Sequence, residues 1–385
     1  MLSKKSFKAF PISNGMNVLM LSTDRKIFEE ASDVRARMVD YAGLFEKLEI
    51  VVFAKKSEGF DVVQIAPNCH AHPTNSLSPF SYILGGIRVG QKILKGQNYG
   101  NWVITCQDPF EAGLAGWWLA RKFRVKLNLQ IHTDVFSPFF GAESLKNKIR
   151  VAIAKFVLPK ADSVRVVSER IKKTLAKFKL KTEPIVLPII SELNKSSGGS
   201  QVDLHQKYPQ FDFIILMASR LTREKNFPLA LKAIASVAKL NSRAGLIIVG
   251  NGPERKKIEE GIARFGLQKN VILEKWNDNL SAYYQTADLF LLTSNYEGYG
   301  RTLIEAAQFG CPILSTDTGA VGELFNEQNS LVCPVGDQAC LEKKLSYAIE
   351  NREKIKLLAE KALADVMNNL VISKEDYLER YRNSL

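Results

Sequence analysis

Short apolar runs and segments with a helical pattern alternate along the whole chain. Runs rich in Val, Ile and Leu, such as Asn17–Thr23 and Ala244–Gly250, have the length of strands. Segments such as Phe227–Leu240 and Pro253–Phe265 instead repeat apolar residues at the helical period. Continuous apolar runs are typical of strands buried on both faces. The alternation therefore predicts an α/β fold with parallel sheets covered by helices.

The predicted strands form two series, one in each half of the chain. Those of the first half are Asn17–Thr23, Glu49–Ala54, Asp61–Pro67, Asn101–Gln107, Lys126–His132, Ser163–Ser168 and Pro184–Pro188. Those of the second half are Phe211–Ser219, Ala244–Gly250, Asn270–Lys275, Asp288–Ser294, Pro312–Thr316 and Ser330–Pro334. Two complete series favour two similar domains over one large sheet.

A polar stretch rich in Gly and Ser, Ser191–Gln201, separates the two series and is typical of a linker. We therefore predict an N-terminal domain at 1–190 and a C-terminal domain at 200–370, with a final helix at about 370–385 packing back on the first domain. The architecture is two Rossmann-like domains that face each other across a cleft. Ligands of such sheets bind beyond the carboxyl ends of the strands, so functional loops should line the cleft.

The five cysteines are odd in number and form no C-x-x-C pair. We interpret them as small buried hydrophobic residues in a reducing compartment, not as a disulfide framework or a zinc site. Pro11, Asn14 and Gly15 interrupt any apolar leader, so we expect no signal peptide. No apolar stretch has the length of a membrane span. We expect a cytoplasmic protein, either soluble or peripheral on the membrane face.

The formal net charge of +13 lies entirely in the first half of the chain. Residues 1–200 carry 30 Lys and Arg against 17 Asp and Glu, whereas residues 201–385 carry 23 of each. The segment 146–181 alone has twelve basic residues and two acids. This excess is either a solvated helix face or a patch for anionic lipid or a phosphorylated acceptor. No nucleic-acid-binding motif accompanies it.

Within that basic segment, 144–159 reads SLKNKIRVAIAKFVLP. Its apolar residues recur at helical spacing, with lysines elsewhere around the helix: they are Leu145, Ile149, Ile153, Phe156 and Val157. The apolar stripe is either packed on the domain's own sheet, which we favour, or directed towards a membrane.

The segment Ser294–Asp317, SNYEGYGRTLIEAAQFGCPILSTD, carries the most specific chemistry. A strand ends near Ser294, a loop with two glycines follows, and a helix begins near Arg301 and stops at Gly310. Glycines let the backbone approach a ligand, and a helix N-terminus is an anion site. The combination suits a diphosphate or a sugar.

Glu297 and Glu305 are the acids of this segment. In retaining glycosidases, paired carboxyl groups lie about 5 Å apart. Eight residues of helix would separate these two by roughly 12 Å. We therefore expect them to contact different parts of one elongated ligand, with Glu305 at a ribose and Glu297 nearer the reacting sugar.

The sequence here resembles the retaining GT-B glycosyltransferases of the GT4 type. Their E-x7-E pattern is matched by Glu297 and Glu305, and two further motifs match at Met217–Asn226 (MASRLTREKN) and Ile248–Glu254 (IVGNGPE). The specific similarity spans about Met217–Glu323, with weaker similarity over most of the chain. Three motifs in the right order are far more specific than one E-x7-E alone.

The resemblance implies roles for the matching positions. Arg220 and Lys225 would neutralise the donor diphosphate, because guanidinium and ammonium groups suit phosphate oxygens. Trp276 and Asn277 would border the base, although a Trp there is as often structural. The other donor-binding positions that the resemblance implies, besides Glu305, are Gly250, Gly252, Gly298, Tyr299, Gly300, Arg301, Thr302 and Leu303.

In the first half, the resemblance places His132 at the end of a strand facing the transferred sugar. Asp108 would lie on the same side of the cleft, and Asp134 is a weaker candidate. The alternative for His132 is a core histidine with satisfied hydrogen bonds, and for the acids it is helix capping.

The sequence departs from the family where many relatives have a Gly-Gly loop after the first strand. No glycine lies between Gly15 and Gly43. Arg35, Arg37 and Ser32 are the candidates to replace that loop.

The chain has no D-x-D pair, which metal-dependent GT-A enzymes use. We therefore expect neither a metal nor a cofactor, and a nucleotide sugar (UDP or GDP sugar) as substrate. The hypothesis is retaining transfer to an acceptor hydroxyl, catalysed around His132, Glu297 and Asp108, with a polyprenyl-linked or lipid glycan as one possible acceptor. Two alternatives remain: a sugar-nucleotide epimerase, and a non-catalytic protein that binds sugar nucleotides.

Overall fold

The computed structural model describes residues 15–189, 202–277, 279–370 and 373–385. Within these residues the strands form two separate sheets, one from each half of the chain. Both sheets are covered by helices, which confirms the predicted α/β architecture. The predicted linker Ser191–Gln201 lies outside the described residues. None of the described helices is long and apolar enough to span a bilayer.

The N-terminal sheet has eight strands in the order β3-β4-β2-β1-β5-β6-β7-β8. Its strands are β1 (Asn17–Ser22), β2 (Lys47–Val52), β3 (Val63–Ala66), β4 (Cys69–Pro73), β5 (Trp102–Cys106), β6 (Lys126–Ile131), β7 (Ser163–Val166) and β8 (Ile185–Val186). The helices are α1 (Asp33–Ala42), α2 (Tyr82–Leu94), α3 (Glu111–Phe123), α4 (Pro138–Glu143), α5 (Leu145–Val157) and α6 (Glu169–Leu175). All neighbouring strands are parallel except β3, which is antiparallel to β4.

The C-terminal sheet has six parallel strands in the order β11-β10-β9-β12-β13-β14. Its strands are β9 (Phe213–Ala218), β10 (Ala244–Val249), β11 (Val271–Glu274), β12 (Leu289–Leu292), β13 (Ile313–Thr316) and β14 (Leu331–Cys333). The helices are α7 (Leu204–Lys207), α8 (Phe227–Leu240), α9 (Arg255–Arg264), α10 (Leu280–Thr286), α11 (Arg301–Gln308), α12 (Gln338–Glu350), α13 (Arg352–Leu370) and α14 (Lys374–Asn383).

The strand order places a crevice at the carboxyl ends of β9 and β12. The chain runs outward from β9 to β11 on one side and from β12 to β14 on the other, so the order reverses between β9 and β12. Loops that leave two such strands diverge and open a ligand site between them. The segments after Ala218 and after Leu292 leave at this point, and they contain the sequence motifs.

The last helix, α14, packs on the N-terminal domain although the chain reaches it from the C-terminal domain. The Tyr381 ring stacks on Tyr41 with centroids 3.9 Å apart, and the Tyr377 hydroxyl lies 3.1 Å from the Tyr41 hydroxyl. The fully buried Arg165 donates to the Tyr377 hydroxyl at 3.0 Å and to the Leu187 carbonyl at 2.9 Å. This packing attaches the last helix to the N-terminal domain.

Two details of the sequence interpretation need correction. The sequence pattern does not predict the strand β4, CHAHP, because its histidines interrupt the apolar pattern. A hydrogen bond between His72 Nε2 and the buried Glu49 Oε2 at 2.6 Å satisfies one of them. The reading of the cysteines is wrong for Cys333 and Cys340, which form a disulfide with Cα atoms 5.7 Å apart. The three other cysteines are free and buried, as expected.

Replacing Tyr381 by Ala should lower the free energy of unfolding of the N-terminal domain by about 3–5 kcal/mol, because a large, fully buried ring is removed. Urea denaturation followed by intrinsic fluorescence measures the change. The control is Tyr347→Ala, whose side chain is 37% exposed and which should cost far less. Equal losses for the two variants would contradict the described packing of α14.

Candidate functional site

A lysine and a glutamate from the two crevice loops form the centre of the site. Lys225 Nζ lies 2.5 Å from Glu297 Oε1, and Ser294 Oγ donates to the same oxygen at 2.6 Å. The side chains of Lys225 and Glu297 are only 10% and 13% exposed. The loops are also joined through the main chain, where Asn295 N donates to the Glu224 carbonyl at 2.7 Å. The Glu297 carboxylate is therefore held in one position by its own domain.

The next residue, Gly298, brings this loop into contact with the N-terminal domain. A Cβ atom added to Gly298 would lie 2.0 Å from the carbonyl oxygen of His132 and 2.8 Å from its carbonyl carbon. Only glycine allows so close an approach of two backbones. The structure thus brings together His132 and Glu297, which are 165 positions apart in the sequence.

His132 follows β6 and is uncharged at neutral pH. Burial, reinforced by the positive charges of Arg165 and Arg37, lowers its pKa to about 3. Its Nε2 lies 3.2 Å from Gln107 Oε1, an acceptor, so with this amide orientation Nε2 carries the proton. Among the described residues no partner contacts the buried Nδ1. The imidazole is therefore neutral, and its buried Nδ1 is an acceptor without a hydrogen-bond partner among the described residues.

Glu305 lies on α11, whose N-terminus forms another wall of the site. Gly300 precedes the helix with φ +80°, a left-handed conformation that suits glycine, and the first turn of α11 begins directly after it. The Tyr284 hydroxyl donates to Glu305 Oε2 at 3.2 Å. Burial raises the pKa of Glu305, opposed by Arg301 at 3.7 Å.

The remaining donor positions pack closely around the same loops. A Cβ on Gly250 would lie 2.1 Å from the Ser219 carbonyl oxygen, and one on Gly252 would lie 2.3 Å from the Leu221 carbonyl oxygen. Arg220 is different, because its side chain is 80% exposed and its contact with Glu224 is 3.6 Å long. Arg220 is therefore available to a ligand. Tyr299 and Leu303 are buried and support the loop from behind.

The two aspartates singled out with His132 from the sequence, Asp108 and Asp134, have different hydrogen-bond environments. Asp108 Oδ1 accepts from the amides of Phe110 at 2.8 Å and Ala112 at 3.3 Å, so this carboxylate caps α3. Burial raises the pKa of Asp108 to about 6. Burial also raises the pKa of Asp134, whose Oδ1 has no partner among the described residues.

The other residues singled out from the sequence lie at α1 and after β11. Ser32 caps α1 by accepting from the Arg35 amide at 3.1 Å, and Arg37 on the same helix acts electrostatically on His132. Trp276 is 44% exposed after β11, and Asn277 donates to the Tyr283 hydroxyl at 3.3 Å.

Sequence reasoning missed Arg170, which joins the two domains. From α6 it forms a salt bridge with Asp317, and it donates to the carbonyls of Gly319 at 3.3 Å and Val321 at 2.7 Å. The loop that it holds also contacts the loop after β12, because Ala320 N donates to the Tyr299 carbonyl at 2.9 Å. Its partners lie 147 to 151 residues away, and no sequence signal links them.

Comparison with known proteins identifies the family. Residues 204–364 match the family model of "Glycosyl transferases group 1", and residues 43–187 match that of "Glycosyltransferase Family 4". The chain belongs to the GT4-type family of glycosyltransferases and has their GT-B fold. It is 30% identical to an uncharacterized glycosyltransferase of Methanocaldococcus jannaschii over 63% of each chain. It is 26% identical to the alpha-monoglucosyldiacylglycerol synthase of Streptococcus pneumoniae over 59% of this chain and 54% of that protein. The matches thus span little more than half the length of these curated relatives.

Solved structures share the GT-B fold of this glycosyltransferase over nearly the whole chain. Sucrose-phosphate synthase from Thermosynechococcus elongatus superposes with a TM-score of 0.79 and 18% identity, covering 96% of this chain and 98% of that one. Anabaena HepE in complex with UDP and glucose gives a TM-score of 0.73 and 19% identity, with the same coverage. At these identities the similarity establishes the fold alone.

Replacing Gly298 by Ala should loosen the contact between the domains of this glycosyltransferase, because the new methyl group would meet rigid backbone. Such overpacking costs about 1–3 kcal/mol. We expect amide hydrogen exchange in segments 131–137 and 296–300 to become at least about fivefold faster. In the control Gly141→Ala, the new Cβ meets only Val151 at 3.8 Å, so exchange should not change. Wild-type exchange in the Gly298 variant would show that the two backbones do not meet in solution.

Proposed function

We propose that this chain transfers a hexosyl-type sugar from a UDP or GDP sugar to an acceptor hydroxyl, with retention at the anomeric carbon and without a metal. The observation that supports this most is the backbone contact of Gly298 with His132, which brings Glu297, paired with Lys225, and His132 to the same part of the cleft. A buried carboxylate and a neutral imidazole beside an anion-binding helix N-terminus suit a phosphorylated sugar.

The diphosphate would bind at the N-terminus of α11, between Arg220 and Lys225. Negative charge builds on the departing phosphate as the glycosidic bond breaks, and donors already in position stabilise it. The Lys225 ammonium has three donors, so it can bind a phosphate oxygen while it keeps Glu297 in place. Glu305 would bind the ribose hydroxyls. Support for a nucleoside diphosphate also comes from the HepE structures, which contain UDP or UDP-glucose.

The sugar would lie between Glu297 and His132. Because His132 is neutral, it would add no positive charge near the anomeric carbon. The Glu297 carboxylate would stabilise the positive charge that develops there. Asp108, which caps α3, would act only through the position of that helix, so the sequence-based catalytic role is the weakest of the three.

We propose front-face displacement for the reaction. The bond from the anomeric carbon to the phosphate oxygen breaks, the bond to the acceptor oxygen forms on the same face, and the acceptor proton passes to the departing phosphate. The Glu297 carboxylate forms an ion pair with Lys225, and this argues against a role of Glu297 as the nucleophile. Two relatives are named for alpha-linked products, the synthase above and the poly(glycerol-phosphate) alpha-glucosyltransferase of Bacillus subtilis. Nucleoside diphosphate glucose is itself alpha-linked, so an alpha-linked product means retention.

For the acceptor, we propose a lipid-linked or cell-surface glycan, reached by a cytoplasmic protein peripheral on the membrane. The names of relatives include a diacylglycerol glycolipid, poly(glycerol phosphate) and lipopolysaccharide core. A glycosyltransferase accounts better than an epimerase or a non-catalytic binding protein for the presence of one set of residues together. These are Arg220, Lys225, Glu297 and Glu305.

The variants Glu297→Gln and Glu305→Gln should fail in different ways. Glu297 acts on the transferred sugar, so its loss should lower kcat about 10²–10³-fold. Glu305 binds the nucleotide, so its loss should raise the donor KM at least about tenfold, as expected for a hydrogen bond to a charged group. The exposed Glu353→Gln is the control and should change neither constant. Wild-type kcat and KM in both variants would remove these residues from the site.

Transfer should continue in excess EDTA, because Arg220, Lys225 and the N-terminus of α11 stabilise the leaving diphosphate. Initial rates with and without chelator, after dialysis against EDTA, measure this. Complete loss of transfer that added Mg²⁺ or Mn²⁺ restores would contradict a metal-independent mechanism.

A further inference from the structure

The solvent-facing sides of three neighbouring helices carry large apolar side chains that are partly or mostly exposed. On α5 the outward residues Leu145, Ile149 and Phe156 are 74%, 54% and 44% exposed, although their spacing is that of a buried stripe. The face of α5 that packs inward carries Asn147, Ala154 and Val157 instead. The expectation from the sequence that the stripe packs on the domain's own sheet is therefore wrong for Leu145 and Ile149, whereas Phe156 packs edge-on against Trp117 of α3.

The same side of the domain continues over α3 and α2. α3 lies between the other two and contacts both. Before and along α2, Leu77, Phe80 and Leu84 are 88%, 97% and 70% exposed. On α3, Trp118 is 36% exposed, and Lys122 Nζ lies 5.0 Å from the centre of its ring. We call the outward sides of α2, α3 and α5, with the segment 77–81, the three-helix face.

The three-helix face is strongly basic. The three helices contain eight basic residues and a single acid. The basic residues are Arg88, Lys92, Arg121, Lys122, Lys146, Lys148, Arg150 and Lys155. The acid, Glu111, forms a salt bridge with Arg150 at 3.0 Å. The positive charge of the other basic residues is therefore not neutralised by an acid on these helices.

Several basic residues of the segment 146–181 have partners within the protein, so they contribute little free positive charge to its surface. Arg165 is buried and Arg170 holds the C-terminal domain, as described above. Lys172 is paired with Glu183 at 2.6 Å, and Lys181 with Asp162 at 2.7 Å. These four basic residues after α5 thus have partners within the protein, whereas Lys146, Lys148 and Lys155 are exposed beside the apolar stripe.

We infer that the three-helix face docks on a membrane that contains anionic lipid. Large exposed apolar patches mark interaction sites. Lysine is depleted at protein–protein interfaces, whereas apolar side chains surrounded by Lys and Arg are typical of helices that lie at the surface of a bilayer. The apolar residues would insert between headgroups, and the lysines would contact lipid phosphates.

The position of this face relates it to the cleft. α2 begins after β4 and α5 after β6, so both begin near the carboxyl edge of the sheet, where His132 meets Gly298. α4, directly before α5, also contacts the C-terminal domain, since Phe140 packs edge-on against Tyr296 with centroids 5.5 Å apart. Docking would therefore hold the cleft beside the lipid surface. The link to a lipid-linked acceptor rests on the proposed function, but docking itself does not.

The test is co-sedimentation of the full chain with vesicles of phosphatidylcholine alone and with vesicles that also contain phosphatidylglycerol, at low and high salt. Binding should require phosphatidylglycerol and weaken with salt, because exposed charges are screened beyond about 8 Å at physiological ionic strength. Two double variants, Phe80→Ser with Leu84→Ser and Lys146→Glu with Lys148→Glu, should each lower binding at least about tenfold. All four side chains are exposed, so folding should not suffer.

Matched controls place the same changes on α13, at Leu357→Ser with Met367→Ser and at Lys354→Glu with Lys361→Glu, and should keep wild-type binding. Thermal shift with UDP and with GDP, run on every variant, reports the donor site separately. Recovery of the wild-type chain in the supernatant under all conditions would overturn the docking inference, as would equal losses in the α13 controls. A missing thermal shift in the wild-type chain would count against the proposed function alone.

Discussion

The contact between the backbones of Gly298 and His132 is the constraint on which the rest of the site depends. A side chain at position 298 would collide with the N-terminal domain, so the loop can bring Glu297 to the cleft only through glycine. Arg170 and the Tyr296–Glu143 hydrogen bond act on either side of this contact and hold the two domains together. Residues of both domains therefore contribute to the cleft at this point.

The electrostatics of the site are set mainly by burial. Burial keeps His132 neutral, and it raises the pKa of both Asp108 and Glu305. The Glu297 carboxylate accepts hydrogen bonds from Lys225 and Ser294. Removing one partner of a buried ion pair leaves an uncompensated charge, which is costly, so Lys225 and Glu297 depend on each other. The arrangement provides one fixed carboxylate beside one neutral imidazole.

The sequence predicted the fold well because local patterns determine it. Helix α8, Phe227–Leu240, has the predicted bounds, and the glycines near Glu297 indicated close backbone approach before any geometry was known. Long-range features could not be predicted in the same way. Arg170 contacts residues some 150 positions away, the Cys333–Cys340 disulfide has no C-x-x-C spacing, and β4 lacks an apolar run. The sequence could not predict the exposure of Leu145 and Ile149 either, because an apolar stripe on a helix has the same spacing whether it faces the core or the solvent.

The most direct test of the central claim, a retaining sugar transfer at Glu297 and His132, uses water as the acceptor. NMR can follow the wild-type chain with a panel of alpha-linked UDP and GDP sugars and identify the first-formed anomer of the released sugar before mutarotation. We expect one member of the panel to release its nucleoside diphosphate together with the alpha anomer. First formation of the beta anomer, or no release of nucleoside diphosphate from any donor in the panel, would contradict the account.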